Sequence, residues 1–225
     1  YTHSGVMASS LAMNKVKAKA VMAAAGIPVT EHKVVNRHEI GREHPMDPPY
    51  VLKPINEGSS FGVLIVKEDQ EFPPQELHRE DWPYPDVLMC EKFIRGRELT
   101  CAVKDDQALG VIDIVTQGQE FYDFDAKYAE GGSKHILPAK ISPLVYQTAE
   151  TLAVKAHQAL GCRGVSRADF RFDEREDGSG DLICLEVNTQ PGMTPTSLVP
   201  EMAAYKGMSF KDLVSWMVED ASCCR

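Results

Sequence analysis

The sequence predicts an α+β fold in which strands come in runs and helices are few. Three observations carry this. Strand-like segments occur in groups, at 50–54 and 63–66, at 87–94, at 98–103 and 108–115, and at 165–173 and 182–188. Short polar turns, Asp105-Asp106 and Asp177-Gly178, join neighbours within a group and make them antiparallel. Only three strong helical segments are present, whereas a doubly wound sheet needs a helix after nearly every strand.

The elements follow in order. Asn14 caps a helix over 15–25, which is rich in alanine and is stopped by Gly26 and Pro28. Strands 50–54 and 63–66 flank the loop Asn56-Glu57-Gly58-Ser59-Ser60-Phe61-Gly62. Four prolines and many charges make 72–85 irregular or a short, poorly capped helix. Residues 87–94 form a further strand, and 98–103 with 108–115 a hairpin. Ser142 and Pro143 open a helix whose buried stripe is Val145, Ala149, Leu152, Ala156 and Leu160, and Gly161 ends it. A last helix covers 209–218.

The 225 residues are 43% hydrophobic and 25% charged, the composition of an ordinary globular chain. A net charge of −9 argues against a nucleic acid or an anionic membrane as partner, since polyanions are repelled at long range. No run of about 18 apolar residues could span a bilayer. Tyr1-Thr2-His3-Ser4-Gly5 has neither the basic start nor the apolar core of a signal peptide, and a first residue other than Met suggests a segment upstream. Six cysteines without a C-x-x-C pair read as free thiols of a reducing cytosol. The seven histidines show no metal-ligand spacing and read as surface or structural.

Residues 165–188 carry the most chemistry. Asp-Gly is a preferred centre of a two-residue hairpin turn. Centring the turn at Asp177-Gly178 places Asp169 opposite Glu186 and Arg167 opposite Asn188. Alternation then puts Ala168, Phe170, Phe172, Ile183, Leu185 and Val187 on a core face, and Arg167, Asp169, Glu186 and Asn188 on the other. Facing carboxylates repel unless a cation lies between them. Asp, Glu and Asn offer only oxygen, which suits Mg²⁺ and not zinc. Arg167 could then hold a phosphate or an oxyanion. The residues alone leave this and a solvated polar face about equally open; the tight loop Thr189-Gln190-Pro191-Gly192-Met193-Thr194 that follows favours function.

Glu57-Gly58-Ser59-Ser60-Phe61-Gly62 lacks a Walker lysine and leads into no helix. By itself it is better read as a plain hairpin loop. It gains weight from the local cations Lys15, Lys53, Lys92, Lys127 and Arg167, with which it could close over phosphates. Phe121-Tyr122-Asp123-Phe124-Asp125-Ala126-Lys127-Tyr128 mixes aromatics and charges without a period. It reads either as a strand edge or as an active-site loop using Lys127 and Tyr128.

Taken together and in order, Tyr1-Thr2-His3-Ser4-Gly5-Val6, Val51-Leu52-Lys53-Pro54, Glu57-Gly58-Ser59-Ser60, Tyr122-Asp123, Ala126-Lys127-Tyr128, Arg167-Ala168-Asp169, Leu185-Glu186-Val187-Asn188-Thr189 and Pro191 to Leu198 resemble the D-alanine–D-alanine ligase family of the ATP-grasp superfamily. The resemblance implies two α+β subdomains, 1–92 central and 93–225 C-terminal, with the nucleotide between their sheets. It implies that ATP phosphorylates the carboxylate of one D-alanine and that the amine of a second attacks the acyl phosphate, for peptidoglycan synthesis in a bacterial cytoplasm. ATP would be contacted by Lys15, Lys53, Glu91, Lys92, Ile94, Glu98 and Lys127. Two Mg²⁺ ions, replaceable by Mn²⁺, would be held by Asp169, Glu186 and Asn188. Arg167 and the Gly192 amide would stabilise the oxyanion, Ser59 and Tyr128 would form the hydrogen-bonding network at the first substrate, and Ser197 and Leu198 would receive the carboxylate of the second. The intact protein would be a homodimer, with no nucleic-acid or membrane partner. The family's N-terminal domain has no counterpart in these residues, so the expectation is a chain complete for ATP and incomplete for turnover. The alternatives are a non-catalytic Mg·ATP-binding module and a ligase joining D-alanine to a hydroxy acid.

Overall fold

The computed structural model describes residues 1–116, 133–194 and 196–223, and the fold is that of these residues. Two helices open it, α1 (Val6–Met13) and α2 (Lys15–Ala24). Asn14 serves both: its N–H donates to the Ser10 carbonyl and closes α1, while its side chain accepts from the Lys17 N–H and caps α2.

The first sheet contains β1 (His32–Asn36), β2 (Tyr50–Pro54), β3 (Leu64–Val66) and β4 (Val87–Lys92), antiparallel in the order β1-β4-β2-β3. Tyr50, Leu52, Val66, Leu88 and Cys90 form its core with Ile40 and Leu77. Leu77 comes from a single 3₁₀ turn, Gln75–His78, the only regular piece among the described residues of the proline-rich stretch.

The second sheet contains β5 (Arg97–Lys104), β6 (Gln107–Thr116), β7 (Ser133–Ile136), β8 (Val165–Glu174) and β9 (Gly180–Asn188), antiparallel in the order β7-β6-β5-β8-β9. Asp105 and Asp106, at φ +49° and +61°, turn β5 into β6 as the twist of a tight hairpin requires. One face, with Leu99, Cys101, Val111, Phe170 and Cys184, packs on α2 and on α3 (Pro143–Ala159), which Ser142 caps. The other face packs Ala102, Leu109, Ile112 and Ile114 under α4 (Leu198–Tyr205) and α5 (Phe210–Glu219), the latter opened by a Ser209/Asp212 capping box. These helices cover only part of that face. It also carries Glu98 and Thr100 on β5 and, paired with them, Arg171 and Asp169 on β8.

Cys90, Cys101, Cys162 and Cys184 are buried free thiols and Cys223 an exposed one. Among the described residues no helix is long and apolar enough to cross a membrane. His157 is buried and bonded through Nδ1 to Ser166 Oγ at 2.7 Å, a packing role.

Candidate active site

The β8–β9 hairpin pairs Arg167 with Asn188 and Asp169 with Glu186, the expected register at the site, but reaches it differently. The turn is one residue longer than a two-residue turn: Arg175 N–H donates to Ser179 O at 2.7 Å and Gly178 N–H to Arg175 O at 2.9 Å, with Gly178 at φ +77°. From Phe170–Cys184 to Glu174–Gly180 the strands therefore run one residue out of the expected register. A bulge at Leu185 restores it at Asp169–Glu186. This corrects the assignment of faces. Leu182, Cys184 and Val187 enter the core from β9, whereas Ile183 pairs with Arg171 and Leu185 lines the cleft beside Glu186.

Asp169 is densely bonded. Oδ1 accepts from Thr100 Oγ1 at 2.6 Å and Arg167 Nε at 2.9 Å; Oδ2 accepts from Arg167 Nη2 at 2.9 Å and Asn188 Nδ2 at 2.8 Å. The donor set Asp169, Glu186 and Asn188 fits a hard cation: all three sit on one face, and Asn188 uses its amide nitrogen toward Asp169, which leaves the amide oxygen as the ligand. Asp169 already accepts four hydrogen bonds, so a cation there must displace a donor, and the Arg167 fork is the one with an alternative use.

Across the cleft stand two lysines. Lys15, in the first turn of α2, donates to the Glu57 carbonyl, and its Nζ lies 3.5 Å from Glu186 Oε2. Lys53, at the end of β2, contacts Glu91 Oε1. Glu91 Oε2 is 2.5 Å from the Nζ of Lys19, a lysine with no exposed surface, which also donates to Thr30 Oγ1. Burial opposes ionisation of Glu91, yet Lys53 and Lys19 outweigh it and hold the carboxyl down at about 2. Lys19 is pushed down by burial, against the pull of Glu91.

The segment between the sheets completes the cleft. Arg171 Nε donates to the Ile94 carbonyl at 3.1 Å, and its Nη1 lies 3.6 Å from Glu98 Oε2. Lys15, Lys53, Ser59, Ser60, Phe61, Glu91, Lys92, Ile94, Glu98, Asp169, Leu185 and Glu186 all line one pocket. A larger hollow of about 760 Å³ adjoins it and shares Phe93, Glu98 and Arg171. In the Glu57–Gly62 loop, Ser59 and Ser60 both have positive φ, +52° and +61°, uncommon for residues with a Cβ and typical of functional loops.

Arg167 and Asn188 join this constellation through Asp169. Gly192 lies beside Ser197, whose Oγ bonds Thr194 at 2.8 Å; Ser197 is the N-cap of α4, and Leu198, the first residue of that helix, buries its side chain in the core and offers a ligand its backbone N–H. Lys127 and Tyr128 lie outside the described residues. Four polar residues bonded to this constellation lie beyond the sequence expectations: Arg171 in the lining, and Lys19, Thr30 and Thr100 behind it, the first two on Glu91 and the third on Asp169. Thr100 and Arg171 could have been found by alternation, as polar members of apolar strands next to Glu98 and Asp169. Lys19 shares a helix face with Lys15, four residues away, and nothing in the sequence marks it as buried.

Two antiparallel sheets that close on one polar cleft, the second packed against helices on both faces, define an ATP-grasp fold. Residues 21–219 match the family model described as the D-ala D-ala ligase C-terminus, and the chain belongs to the D-alanine–D-alanine ligase family. It is 66% identical over all 225 residues to the D-alanine–D-alanine ligase of Agrobacterium fabrum, covering 73% of that protein, and 63% identical to that of Sinorhizobium medicae with the same coverage. Among solved structures it resembles the VanG D-Ala:D-Ser ligase from Enterococcus faecalis, with TM-score 0.78 and 29% identity over 97% of this chain and 64% of that one. The D-alanine–D-alanine ligase from Bacillus anthracis complexed with ATP shares the fold, with TM-score 0.76 and 24% identity over 98% of this chain and 69% of that one.

Proposed function

We propose that this chain supplies the nucleotide and metal half of an ATP-dependent ligase that joins two D-alanine molecules through an acyl phosphate. The observation that carries the reading is the meeting, in one cleft, of an oxygen-only pair, Asp169 and Glu186, with the ammonium groups of Lys15 and Lys53. Anionic phosphates suit the lysines, and a divalent cation suits the carboxylates.

The residue roles follow from position. Lys15 and Lys53 bind phosphate, the loop at Ser59 and Ser60 covers it, and the strand end at Glu91, Lys92 and Ile94 borders the base, with Glu98 at the ribose. Asp169, Glu186 and Asn188 hold Mg²⁺, which when bound neutralises phosphate charge. Arg167, released from Asp169, faces the oxyanion formed when the second amine attacks the acyl carbon. The Gly192 amide supports the same oxyanion, and the free N–H groups at the start of α4, past Ser197, receive the second carboxylate. The family resemblance, and no position, adds Lys127 as a γ-phosphate contact and Tyr128 for the first substrate. The division at 92/93 falls between β4 and β5, with α1 and α2 lent to the core of the second part.

Titration of ATP with and without Mg²⁺, followed by phosphate release and product analysis with D-alanine, tests this. Mg²⁺-dependent ATP binding is the expected result. Absence of ATP binding by the folded chain, or binding indifferent to Mg²⁺, would overturn it. Product analysis with D-lactate separates a dipeptide ligase from one joining a hydroxy acid.

A further inference from the structure

The most unusual group outside the cleft's own lining is Lys19. It lies on α2 with no exposed surface. A buried ammonium is costly unless it is paired. Here it is paired, by Thr30 Oγ1 and by Glu91 Oε2 at 2.5 Å, and Thr30 Oγ1 also donates to the same carboxylate oxygen at 2.8 Å. The other Glu91 oxygen faces Lys53. One carboxylate thus stands between two ammonium groups. Lys53 lies on the cleft side and Lys19 lies behind, away from the pocket lining.

We propose that Lys19 is a positioning residue for the nucleotide: it neutralises Glu91 from behind, so that the charge of Lys53 is turned toward the phosphates and is not cancelled by its own neighbour. This rests on the reading of the cleft as an ATP site. Glu91 and Lys53 alone sum to zero, and Lys53 would be held by its counter-ion. With Lys19 the group carries one net positive charge, and Lys53 can leave Glu91 for an anion while Glu91 keeps a partner. In a partly buried site such a charge is weakly screened. Thr30 fixes the geometry, because it bonds both members of the inner pair.

The test separates charge from mere packing by using two probes, ATP and the neutral adenosine, each titrated calorimetrically into the protein. Lys19→Met should lower the ATP-to-adenosine affinity ratio by at least about tenfold, equivalent to ~1.4 kcal/mol, with adenosine affinity little changed. Lys19→Arg, which keeps the charge, should hold the ratio within about threefold. Neutralising Glu91 removes the need for Lys19, so Glu91→Gln and Lys19→Met/Glu91→Gln should share the same ratio within about threefold. That comparison also serves if Lys19→Met alone does not fold, because the double variant leaves no lone carboxylate behind Lys53. An unchanged ratio in folded Lys19→Met, an equal fall for ATP and adenosine, or a tenfold gap between Glu91→Gln and the double variant would each overturn the inference. Failure of the parent protein to bind ATP would instead overturn the reading of the cleft.

Discussion

Replacing Glu91 by Gln should change the acid response of the protein in a defined window. The carboxyl is held at about 2, against an ordinary 4.5, because two lysines outweigh the cost of its burial. A depressed carboxyl contributes stability that is complete above its unfolded value and is lost as pH falls through the folded one. The window is therefore from about pH 4.5 down to about pH 2. The gap of about 2.5 pH units, at roughly 1.4 kcal/mol each, is about 3 kcal/mol. Lys19 is shifted in the sense that costs stability, since burial lowers it against the pull of Glu91. Urea unfolding of the parent and of Glu91→Gln at steps from pH 7 to pH 2 measures the effect. At pH 7 the variant should be weaker by about 3 kcal/mol or more, since two lysines then face only an amide. Toward pH 2 the two stabilities should converge, because the parent carboxyl is then protonated as well. Comparing the two proteins cancels the other carboxylates. Parallel curves across the whole range would refute the reasoning, for they would mean that Glu91 does not titrate differently on folding.

Asp169→Asn should remove most of the Mg²⁺-dependent part of ATP affinity and leave the Mg²⁺-independent part nearly intact, as read by ATP titration with and without the metal. Gly96→Ala should destabilise by more than the ~1–2 kcal/mol that left-handed backbone costs a side chain, because at φ +92° its Cβ would sit 2.1 Å from the Phe172 carbonyl oxygen; thermal melts report it. Gly62→Ala should lower Tm by roughly 2–8 °C, as its φ is +68° and its Cβ would meet Tyr84 and Pro54 under 3.0 Å. Gly58→Ala, with nothing within 4 Å and no such φ, should leave Tm near the parent value.

Much of this fold was legible because its signals are local. The Asn14 and Ser142 caps sit at the ends of the helices they forecast, and the last helix runs within a residue of its expected bounds, with Ser209 as its cap. The β5–β6 turn falls at Asp105-Asp106. β1 was not legible: His32–Asn36 is half exposed, shows no clean alternation, and owes its strand to pairing with β4 far along the chain. α1 and α4 escaped for the opposite reason, being short apolar helices without a polar stripe. The hairpin is the most instructive element. Asp169 has the partner that a two-residue turn and an unbroken ladder would give it, because the extra turn residue and the bulge cancel at the site and nowhere else. The placing of Ile183 and Leu185 exposes this. A bulge has no dependable signature in one sequence; here it lies beside the residue whose aim it changes.

The cleft also explains how a chain of net charge −9 can take a polyanion. Its cations are not loose. Lys15 lies 3.5 Å from Glu186, Lys53 contacts Glu91, Arg167 grips Asp169 at 2.9 Å and Arg171 lies 3.6 Å from Glu98. On the proposed reading, ATP alone would draw Lys15 away from Glu186 and leave a carboxylate bare, and a divalent cation alone would take Asp169 and Glu186 and deprive Arg167 and Lys15 of these carboxylates. When both arrive, the phosphates take the basic groups and the cation takes the acids, so each pair is exchanged and none is broken without replacement. Leaving a partly buried charge unpaired is the expensive outcome. The two ligands should therefore bind with positive coupling, each raising the affinity of the other by the same factor, as linkage requires. Measuring ATP affinity across Mg²⁺ concentrations, and Mg²⁺ affinity across ATP concentrations, should return one coupling factor. The same series on Glu186→Gln, which removes the acid shared by Lys15 and the metal, should return a smaller one. Equal coupling in parent and variant would show that the ion pairs are bystanders.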